Sequence, residues 1–395
     1  MIQSPRRTST HRTPHMTDPC IALLQQLVAI DSVNPSLVPG AAGEGEIGAA
    51  IAAHLRSMGL AVHLQEVAPG RSNVVGVLDA GPGPSMMFCG HTDTVGVEGM
   101  AAPFSPLIRD GRVYGRGSQD MKGGVAAMID AARVVAASGV RRGRLIVASV
   151  IDEEFASIGA DALVTGWKAD AAVVTEPTDL QIGVAHKGFA WFEIETIGRA
   201  AHGSRPQEGR DAILRMGRVL TRLDALDRTL RSRPPDPLMG TASLHASIIE
   251  GGREWSSYPD RCRLQMERRT IAGESAAQAR EEIEALLAVL RQEDPEFEGT
   301  ARLVFARPPY ETPRGHDLVR WLQQAASNRE VRAECTGMSF WTDAAVLGEA
   351  GIPAVLFGPG GAGLHSTEEY VHLSDVIACR DVLGDLALAW MNRPA

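Results

Sequence analysis

Cysteine is scarce in this chain, and the few cysteines that occur are scattered. There are five, and no two of them form a CxxC pair. They are Cys20, Cys89, Cys262, Cys335 and Cys379. An odd and dispersed set argues against a disulfide framework and against a zinc site built from thiolates. The pattern is typical of reduced thiols, so we expect a cytoplasmic protein.

The chain also has fewer basic than acidic residues, and it has no long apolar run. Lys and Arg number 39 against 48 Asp and Glu, which gives a net charge of −9 at pH 7. The body of the chain has no dense basic block, and no apolar run reaches the roughly 18 residues that a membrane-spanning helix needs. We therefore expect neither nucleic acid nor a membrane as a partner.

Residues 1–16 form a polar segment with three arginines and two prolines. The segment lacks the apolar stretch of a signal peptide. We expect it to be a disordered tail, and either Met1 or Met16 can be the true start.

The rest of the chain alternates between strand and helix patterns. With 395 residues, of which 44% are hydrophobic, it is long enough for two or three domains with a large core. Short, wholly apolar runs at 144–151 and 171–175 are typical of strands in a parallel sheet that is covered on both faces. They alternate with helical patterns such as the alanine-rich segment 120–137. This alternation predicts an α/β fold.

The order of elements changes near Lys187. Over 187–307 it reads strand, helix, strand, strand, helix, strand, which is the signature of a ferredoxin-like α+β module. After Pro308 the α/β pattern resumes. We therefore predict a discontinuous catalytic domain in two parts, 17–186 and 308–395, with an α+β domain inserted at 187–307.

Histidine and acidic residues follow the predicted strands, at the ends where ligands collect in an open α/β sheet. These residues are His91, Asp93, Asp120, Glu153, Glu154, Glu176 and His365. Each has an ordinary local explanation, such as a helix N-cap for Asp120. Together, however, so many carboxylates at one edge would repel one another unless a cation neutralised them. Imidazole and carboxylate ligands suit Zn²⁺, with Co²⁺ or Mn²⁺ as substitutes, and a shared carboxylate would make a two-metal hydrolytic site.

The motifs around these residues carry a resemblance to a known family. In order along the chain they are GHTDTV, GRGSQDMKGG, DEE, EPT, AAHGS, ERR and GLHSTEEY. This series resembles the dinuclear-zinc peptidases and deacylases that include acetylornithine deacetylase, succinyl-diaminopimelate desuccinylase, aminoacylase and the glutamate carboxypeptidases. The resemblance implies a zinc-peptidase-like catalytic domain, with a mixed sheet covered by helices. It also implies that the inserted domain is a lid through which a homodimer forms.

The same resemblance implies a set of metal ligands. His91 and Glu176 would bind one Zn²⁺, Glu154 and His365 would bind the other, and Asp120 would bridge the two.

Two neighbouring acids take other roles by the same resemblance. Asp93 would orient His91. Glu153 would be the general base, which takes a proton from the attacking water and returns it to the leaving amine.

The inserted domain adds two candidates. His202 matches a family histidine that reaches into the partner subunit's site and helps to hold the oxyanion of the tetrahedral intermediate. The alternative is a loop histidine on a lid. Arg269 matches an arginine that grips a substrate carboxylate, and it reads equally well as a solvated charge at a strand end.

Two further positions bear on the substrate. Gly361 lies in a glycine-rich loop that can either present backbone N–H groups to a substrate carboxylate or form a flexible turn. Ser256 stands where relatives commonly carry Asn, between Trp255 and Ser257. Because serine lacks the amide donors, we expect an altered substrate end.

The expected activity is metal-dependent hydrolysis of an amide bond in an N-acyl amino acid or a small peptide-like substrate. The alternative is a carboxypeptidase or dipeptidase that releases a C-terminal amino acid. Glu176 counts against N-carbamoyl hydrolases of the same family, which tend to carry His there. Glu153 counts against a non-catalytic metal-binding member, and the lack of a basic phosphate cradle disfavours a phosphatase.

Overall fold

The computed structural model describes residues 18–393. The predicted tail at 1–16 and the choice between Met1 and Met16 lie outside this range. The helices are α1 (Pro19–Val28), α2 (Gly45–Ser57), α3 (Gly123–Ala137), α4 (Ile158–Gly166), α5 (Ala212–Ser232), α6 (Ala276–Glu293), α7 (Asp317–Asn328), α8 (Ala344–Glu349) and α9 (Leu373–Asn392). The strands are β1 (Ala61–Ala68), β2 (Arg71–Asp79), β3 (Ser85–His91), β4 (Leu107–Arg109), β5 (Arg112–Tyr114), β6 (Arg144–Val150), β7 (Ala172–Val174), β8 (Ile182–His186), β9 (Gly188–Ile197), β10 (Ser243–Gly251), β11 (Arg261–Thr270), β12 (Glu298–Arg307), β13 (Tyr310–Glu311), β14 (Cys335–Met338), β15 (Ala354–Leu356), β16 (Gly361–Ala362) and β17 (Tyr370–His372).

Polar side chains mark where several helices begin. Asp18 accepts a hydrogen bond from the backbone N–H of Cys20 at the start of α1, and Pro19 occupies the first helical position. Asp211 caps α5 through the N–H of Leu214. Such caps satisfy N–H groups that have no partner inside the helix.

The chain forms two compact units. The first comprises residues up to Ile182, Arg314–Cys335 and residues from Val346 onward, and the second comprises Gly183–Pro313 and Thr336–Ala345. Beside the predicted insertion at 187–307, the second unit thus includes short flanking segments and Thr336–Ala345.

A mixed sheet forms the centre of the first unit, with the strand order β1-β2-β6-β3-β7-β15. β1, β2 and β6 pair antiparallel, whereas β6, β3, β7 and β15 pair parallel. Helices α3 and α9 pack on β3 and β6, and α2 and α4 contact β1 and β2. The apolar run of β6 is buried from Leu145 to Val150. The predicted α/β class with a covered mixed sheet is therefore confirmed.

A small second sheet in the first unit was not predicted. Its strand order is β16-β17-β5-β4, and each strand has two or three residues. Strands this short carry too little alternation to be recognised from sequence. The pairing of β17 with β5 places Tyr370 opposite Tyr114, so the chain after His365 runs beside the chain that leads to Asp120.

The second unit contains an antiparallel sheet with the order β10-β11-β9-β12. Helices α5 and α6 pack against it, and the core between them includes Leu223, Phe192, Leu264 and Leu287. The order β9-α5-β10-β11-α6-β12 is the predicted ferredoxin-like arrangement. None of the helices within residues 18–393 is long and apolar enough to cross a membrane.

Candidate metal centre

Three neighbouring strands end at the same edge of the first unit's sheet. β3 pairs in parallel with both β6 and β7. His91 is the last residue of β3, and Glu153 and Glu176 follow within three residues of the ends of β6 and β7. Because the carboxyl ends of parallel strands meet at one edge, these three side chains converge.

His91 lies at the centre of one group of ligand atoms. Its imidazole is buried, and its Nε2 lies 3.1 Å from Oδ1 of Asp120. The same nitrogen lies 3.9 Å from Oε2 of Glu153 and 3.9 Å from Oε1 of Glu176. Ligand atoms of His91, Glu153 and Glu176 all fall within 4.8 Å of one another.

His365 marks a second group beside the first. Its Nε2 lies 3.1 Å from Oε2 of Glu154 and 3.4 Å from Oδ2 of Asp120. Asp120 therefore directs one carboxylate oxygen towards each imidazole. This is the placement that a carboxylate bridging two metal ions requires.

The carboxylates of this cluster stabilise positive charge on the neighbouring imidazoles. Burial by itself lowers the pKa of His91, but the hydrogen bond to Asp120 and the nearby carboxylate of Asp93 outweigh it and raise that pKa well above its usual value. Hydrogen bonds to Asp120 and Glu154 raise the pKa of His365 to about 10. Burial, and after it the charge of Asp120, raise the pKa of Glu154 above its usual value. Divalent cations would replace the protons on these groups.

The donor atoms fit divalent metal ions. Within residues 18–393, Oε1 of Glu154 is buried and has no hydrogen-bond partner, an arrangement that is costly for a carboxylate. Coordination would satisfy that oxygen. Imidazole nitrogens together with carboxylates are the ligands of hydrolytic zinc sites.

Asp93 contacts the backbone of the acidic segment as well as His91. Its carboxylate accepts hydrogen bonds from the N–H groups of Glu153 and Glu154, each at 3.1 Å. Its Oδ1 lies 3.6 Å from Nδ1 of His91, whereas its own backbone carbonyl lies 3.0 Å from that nitrogen. Asp93 therefore orients the ring mainly through its carbonyl, while its carboxylate positions the two glutamates.

The helix predicted over 120–137, with its start at Lys122-Gly-Gly, is α3. α3 starts at Gly123, and the preceding turn has non-helical backbone angles at Asp120 and Met121. The peptide bond between these two residues is cis. The N–H of Asp120 is satisfied by the carboxylate of Glu369 at 3.1 Å, so this backbone needs no helical partner.

Some residues that contact the acidic loops of this site could not be recognised from the sequence. Asn34 donates from Nδ2 to Asp93 at 2.8 Å and to Asp152 at 3.1 Å. Arg71 forms ion pairs with Asp152 at 2.9 Å and with Glu44 at 2.6 Å. These residues lie in an ordinary loop and at a strand start, so only their distant partners identify them.

Two glycines of the loop 358–363 are required by close packing. A Cβ on Gly358 would lie 2.2 Å from the carbonyl oxygen of Glu176, and one on Gly361 would lie 2.1 Å from that of Tyr370. Gly361 pairs with Val371 in the small sheet. The loop is therefore held by strand pairing beside the predicted ligand Glu176.

The remaining predicted residues lie in the second unit. His202 is exposed, with Nδ1 2.8 Å from Oγ of Ser204. The next residue, Gly203, donates its N–H to the carbonyl of Ser256 at 2.7 Å. Arg269 pairs with Glu267 at 2.6 Å, and its guanidinium lies over the ring of Phe189 at 5.6 Å.

The sequence matches the model of peptidase family M20/M25/M40 over residues 87–389. A relative from Bacillus subtilis (strain 168), N-formyl-4-amino-5-aminomethyl-2-methylpyrimidine deformylase, is 30% identical over 379 residues, which cover 87% of this chain and 88% of the relative. Acetylornithine deacetylase of Myxococcus xanthus is 32% identical over 308 residues, which cover 76% of this chain and 78% of the relative.

The fold is similar to that of a solved structure, a dinuclear metal-binding peptidase of the M20 family from Bacillus subtilis. The TM-score is 0.72 at 15% identity, and the match covers 94% of this chain and 97% of that one. The resemblance deduced from the sequence motifs is thereby confirmed. The chain belongs to peptidase family M20/M25/M40, and it is a metal-dependent amide hydrolase of that family.

Proposed function

We propose that this enzyme removes a small acyl group from the amine of an N-acyl amino acid or a similar small amide. The observation that carries the proposal is the placement of Asp120 between the two imidazoles, with Glu153 beside it. His91, Glu176 and Asp120 would hold one metal ion, and Glu154, His365 and Asp120 the other. We propose Zn²⁺ as the resident metal, with Co²⁺ or Mn²⁺ as substitutes.

Glu153 is our candidate for the general base. When bound, the two cations would polarise the amide carbonyl and acidify the attacking water. The Glu153 side chain is 11% exposed and its Oε2 lies 3.9 Å from Nε2 of His91, which leaves it accessible at the edge of the cluster. Its backbone is held by Asp93. From this position it would accept a proton from the attacking water and return that proton to the leaving amine.

The names of the relatives support a small acyl group. One relative is a deformylase and the other a deacetylase. In the second unit, Arg269 would bind a substrate carboxylate. Trp255 and Ser256 are exposed and lie where the sequence departs from the family pattern, and they would contact one end of the substrate. In the first unit, Gly361 is our candidate for a backbone contact with a substrate carboxylate.

Substrate screening tests this proposal. The chain, reconstituted with Zn²⁺, is assayed on formyl, acetyl, succinyl and long-chain acyl amino acids and on dipeptides. We expect the short acyl amides to have the highest kcat/KM and Glu153→Gln to lower kcat about 100- to 10,000-fold. Glu46→Gln, a change at an exposed residue of α2, is the control. Preferred cleavage of dipeptides would instead establish the peptidase alternative, and full activity of Glu153→Gln would remove this residue as the base.

We also propose that the active species is a homodimer that assembles through the second unit. β10 is an edge strand of its sheet, and Ile248 and Ile249 are 53% and 51% exposed. An apolar, unpaired edge favours pairing with another chain. In such a dimer, His202 would stabilise the oxyanion in the partner subunit's site.

Mixing two inactive variants tests the sharing of His202. Glu153→Ala and His202→Ala proteins, combined under conditions of proven subunit exchange, should regain part of the activity. If the subunits exchange and no activity returns, each active site takes Glu153 and His202 from the same subunit, and the proposed sharing is wrong.

We further propose the cytoplasm as the location. None of the five cysteines, all of which lie within residues 18–393, forms a disulfide, and Cys20, Cys89, Cys262 and Cys379 are buried. Thiols that stay out of disulfides suit a reducing compartment.

A further inference from the structure

Glu369 makes an unusual set of contacts beside the metal centre. The residue is 1% exposed. Its Oε1 accepts hydrogen bonds from the backbone N–H groups of Gln119 at 2.9 Å and Asp120 at 3.1 Å. Its Oε2 accepts from the N–H of Gly117 at 3.0 Å and from Nη1 of Arg116 at 2.7 Å. One carboxylate therefore holds most of the backbone that leads into Asp120.

Arg116 extends this contact to the segment of His365. Its Nη2 donates to the carbonyl oxygen of Ser366 at 3.0 Å, and its Nε donates to that of Gly96 at 3.1 Å. Ser366 directly follows His365. The buried pair of Arg116 and Glu369 thus connects the backbone of Asp120 with the backbone next to His365.

We propose that Glu369 is a positioning residue for the metal centre. It fixes the Asp120 backbone relative to His365, so that the two carboxylate oxygens of Asp120 face both imidazoles. This inference rests on the proposed role of Asp120 as the bridging ligand. Glu369 acts through Asp120, and no contact between its side chain and the imidazoles is needed.

The chemistry of the contacts requires a carboxylate. Four N–H donors converge on two oxygens, and each oxygen accepts two of them. A glutamine at this position would keep one oxygen and turn an NH₂ group towards backbone N–H donors. Glu369→Gln should therefore release the Asp120 loop although the side chain keeps its size.

A buried ion pair elsewhere in the first unit provides a matched control. Asp130 on α3 is 3% exposed and pairs with Arg133 at 2.5 Å and with Arg380 at 3.2 Å. Neither arginine belongs to the metal cluster. Asp130→Asn therefore removes a comparable buried charge and should lower stability without changing the metal ligands.

Cobalt binding tests the inference, because a loss of stability by itself does not change the affinity for Co²⁺ or the absorption of the bound ion. The full chain is stripped of metal and titrated with Co²⁺ against a competing chelator, while the visible absorption of the bound ion is recorded. For Glu369→Gln we expect the affinity for Co²⁺ to fall about 10- to 100-fold, with an altered absorption band. For Asp130→Asn we expect the affinity and the band of the wild type, even if the melting temperature falls.

Substrate kinetics add a second readout. Glu369→Gln should lower kcat while KM stays near the wild-type value, because the substrate contacts are unchanged. If Glu369→Gln does not fold, Glu369→Asp takes its place, and its shorter side chain should also weaken Co²⁺ binding.

The outcomes separate this inference from the proposed function. A wild-type chain that takes up no Co²⁺ overturns both. A wild type that binds two Co²⁺ ions, together with a Glu369 variant of equal affinity and identical spectrum, overturns the positioning role alone.

Discussion

At the scale of single residues, buried groups outside the proposed ligand set support the proposed metal centre. Asn34 is buried and donates two hydrogen bonds from the same nitrogen, to Asp93 and to Asp152. Asp93 lies in the loop that follows His91, and Asp152 lies in the loop that carries Glu153. Asn34 therefore holds the loops together, and its loss leaves two buried carboxylates without a shared donor.

Asn34→Ala should weaken metal binding more than it weakens the fold. We expect a loss of about 10- to 100-fold in affinity for Zn²⁺, measured by competition with a chelator. Asn392→Ala, at the end of α9, is the control and should bind like the wild type. Equal affinity of Asn34→Ala and the wild type would show that the loops keep their positions without it.

His186 is a buried imidazole of the second unit, and it makes stability depend on pH. Burial lowers its pKa from 6.5 to about 4. Its ring lies among those of Tyr310 and Trp341 at 5.9 and 6.0 Å. Because the buried His186 ring is protonated only at a lower pH than in the unfolded chain, the unfolded chain binds more protons than the folded protein as the pH falls. The stabilisation is complete above about pH 6.5 and declines towards pH 4, by at most about 3 kcal/mol.

The variant His186→Asn should therefore have a flatter pH profile than the wild type. Melting temperatures between pH 7.5 and 4.5 measure this difference, whatever the absolute stability of the variant. His245→Asn, a change at an exposed histidine of the same unit, should keep the wild-type slope. Parallel profiles for His186→Asn and the wild type would contradict the assignment.

At the scale of elements, the start of α3 is packed against the end of β7. A Cβ on Gly124 would lie 1.9 Å from the carbonyl oxygen of Thr175, the residue before Glu176. No larger residue fits there without moving the backbone that carries a proposed ligand. The second glycine of the Lys122-Gly-Gly motif is thus explained by the approach of helix and strand.

Gly124→Ala should destabilise the protein although alanine favours helices. We expect a loss of about 1–3 kcal/mol in the free energy of unfolding, because the added methyl group overpacks the contact. Gly217, inside α5, has open space around its Cβ position. Gly217→Ala should therefore stabilise the protein by up to about 1 kcal/mol. Urea unfolding compares the two, and equal effects would refute the packing argument.

At the scale of the whole molecule, the proposed ligands all belong to one of the two units. The segments that carry His91, Asp120, Glu154, Glu176 and His365 lie in the first unit. Their carboxylates repel one another when no cation is present. Metal binding should thus stabilise the first unit in particular.

Removal of the metal should raise hydrogen exchange locally. Mass spectrometry of the stripped protein should show faster exchange in peptides that contain β3, β6, β7 and the loop 358–372. Peptides from β11, α6 and β12 serve as the internal control and should not change. Added Zn²⁺ should restore protection, whereas Mg²⁺, which prefers oxygen ligands, should not. Uniform changes across both groups of peptides would contradict a site confined to the first unit.

Much of the architecture follows from the sequence because its signals are local. Apolar runs predict β6 and β7, and the element order at 187–307 predicts the ferredoxin-like arrangement. Since parallel strands end at a common edge, the positions of His91, Glu153 and Glu176 after three strands already indicate a shared site. The family motifs suggested which of these residues bind metal.

The tertiary structure alone decided which distant groups support that site. Arg116 and Glu369 are 253 positions apart, and Asn34 and Asp93 are 59 apart. The irregular turn at Asp120 also depends on a distant group, because the carboxylate of Glu369 accepts a hydrogen bond from its backbone N–H. Periodicity records which side chains are buried and which backbone is preferred. It does not record which donor meets which acceptor, because that pairing exists only once the chain has folded.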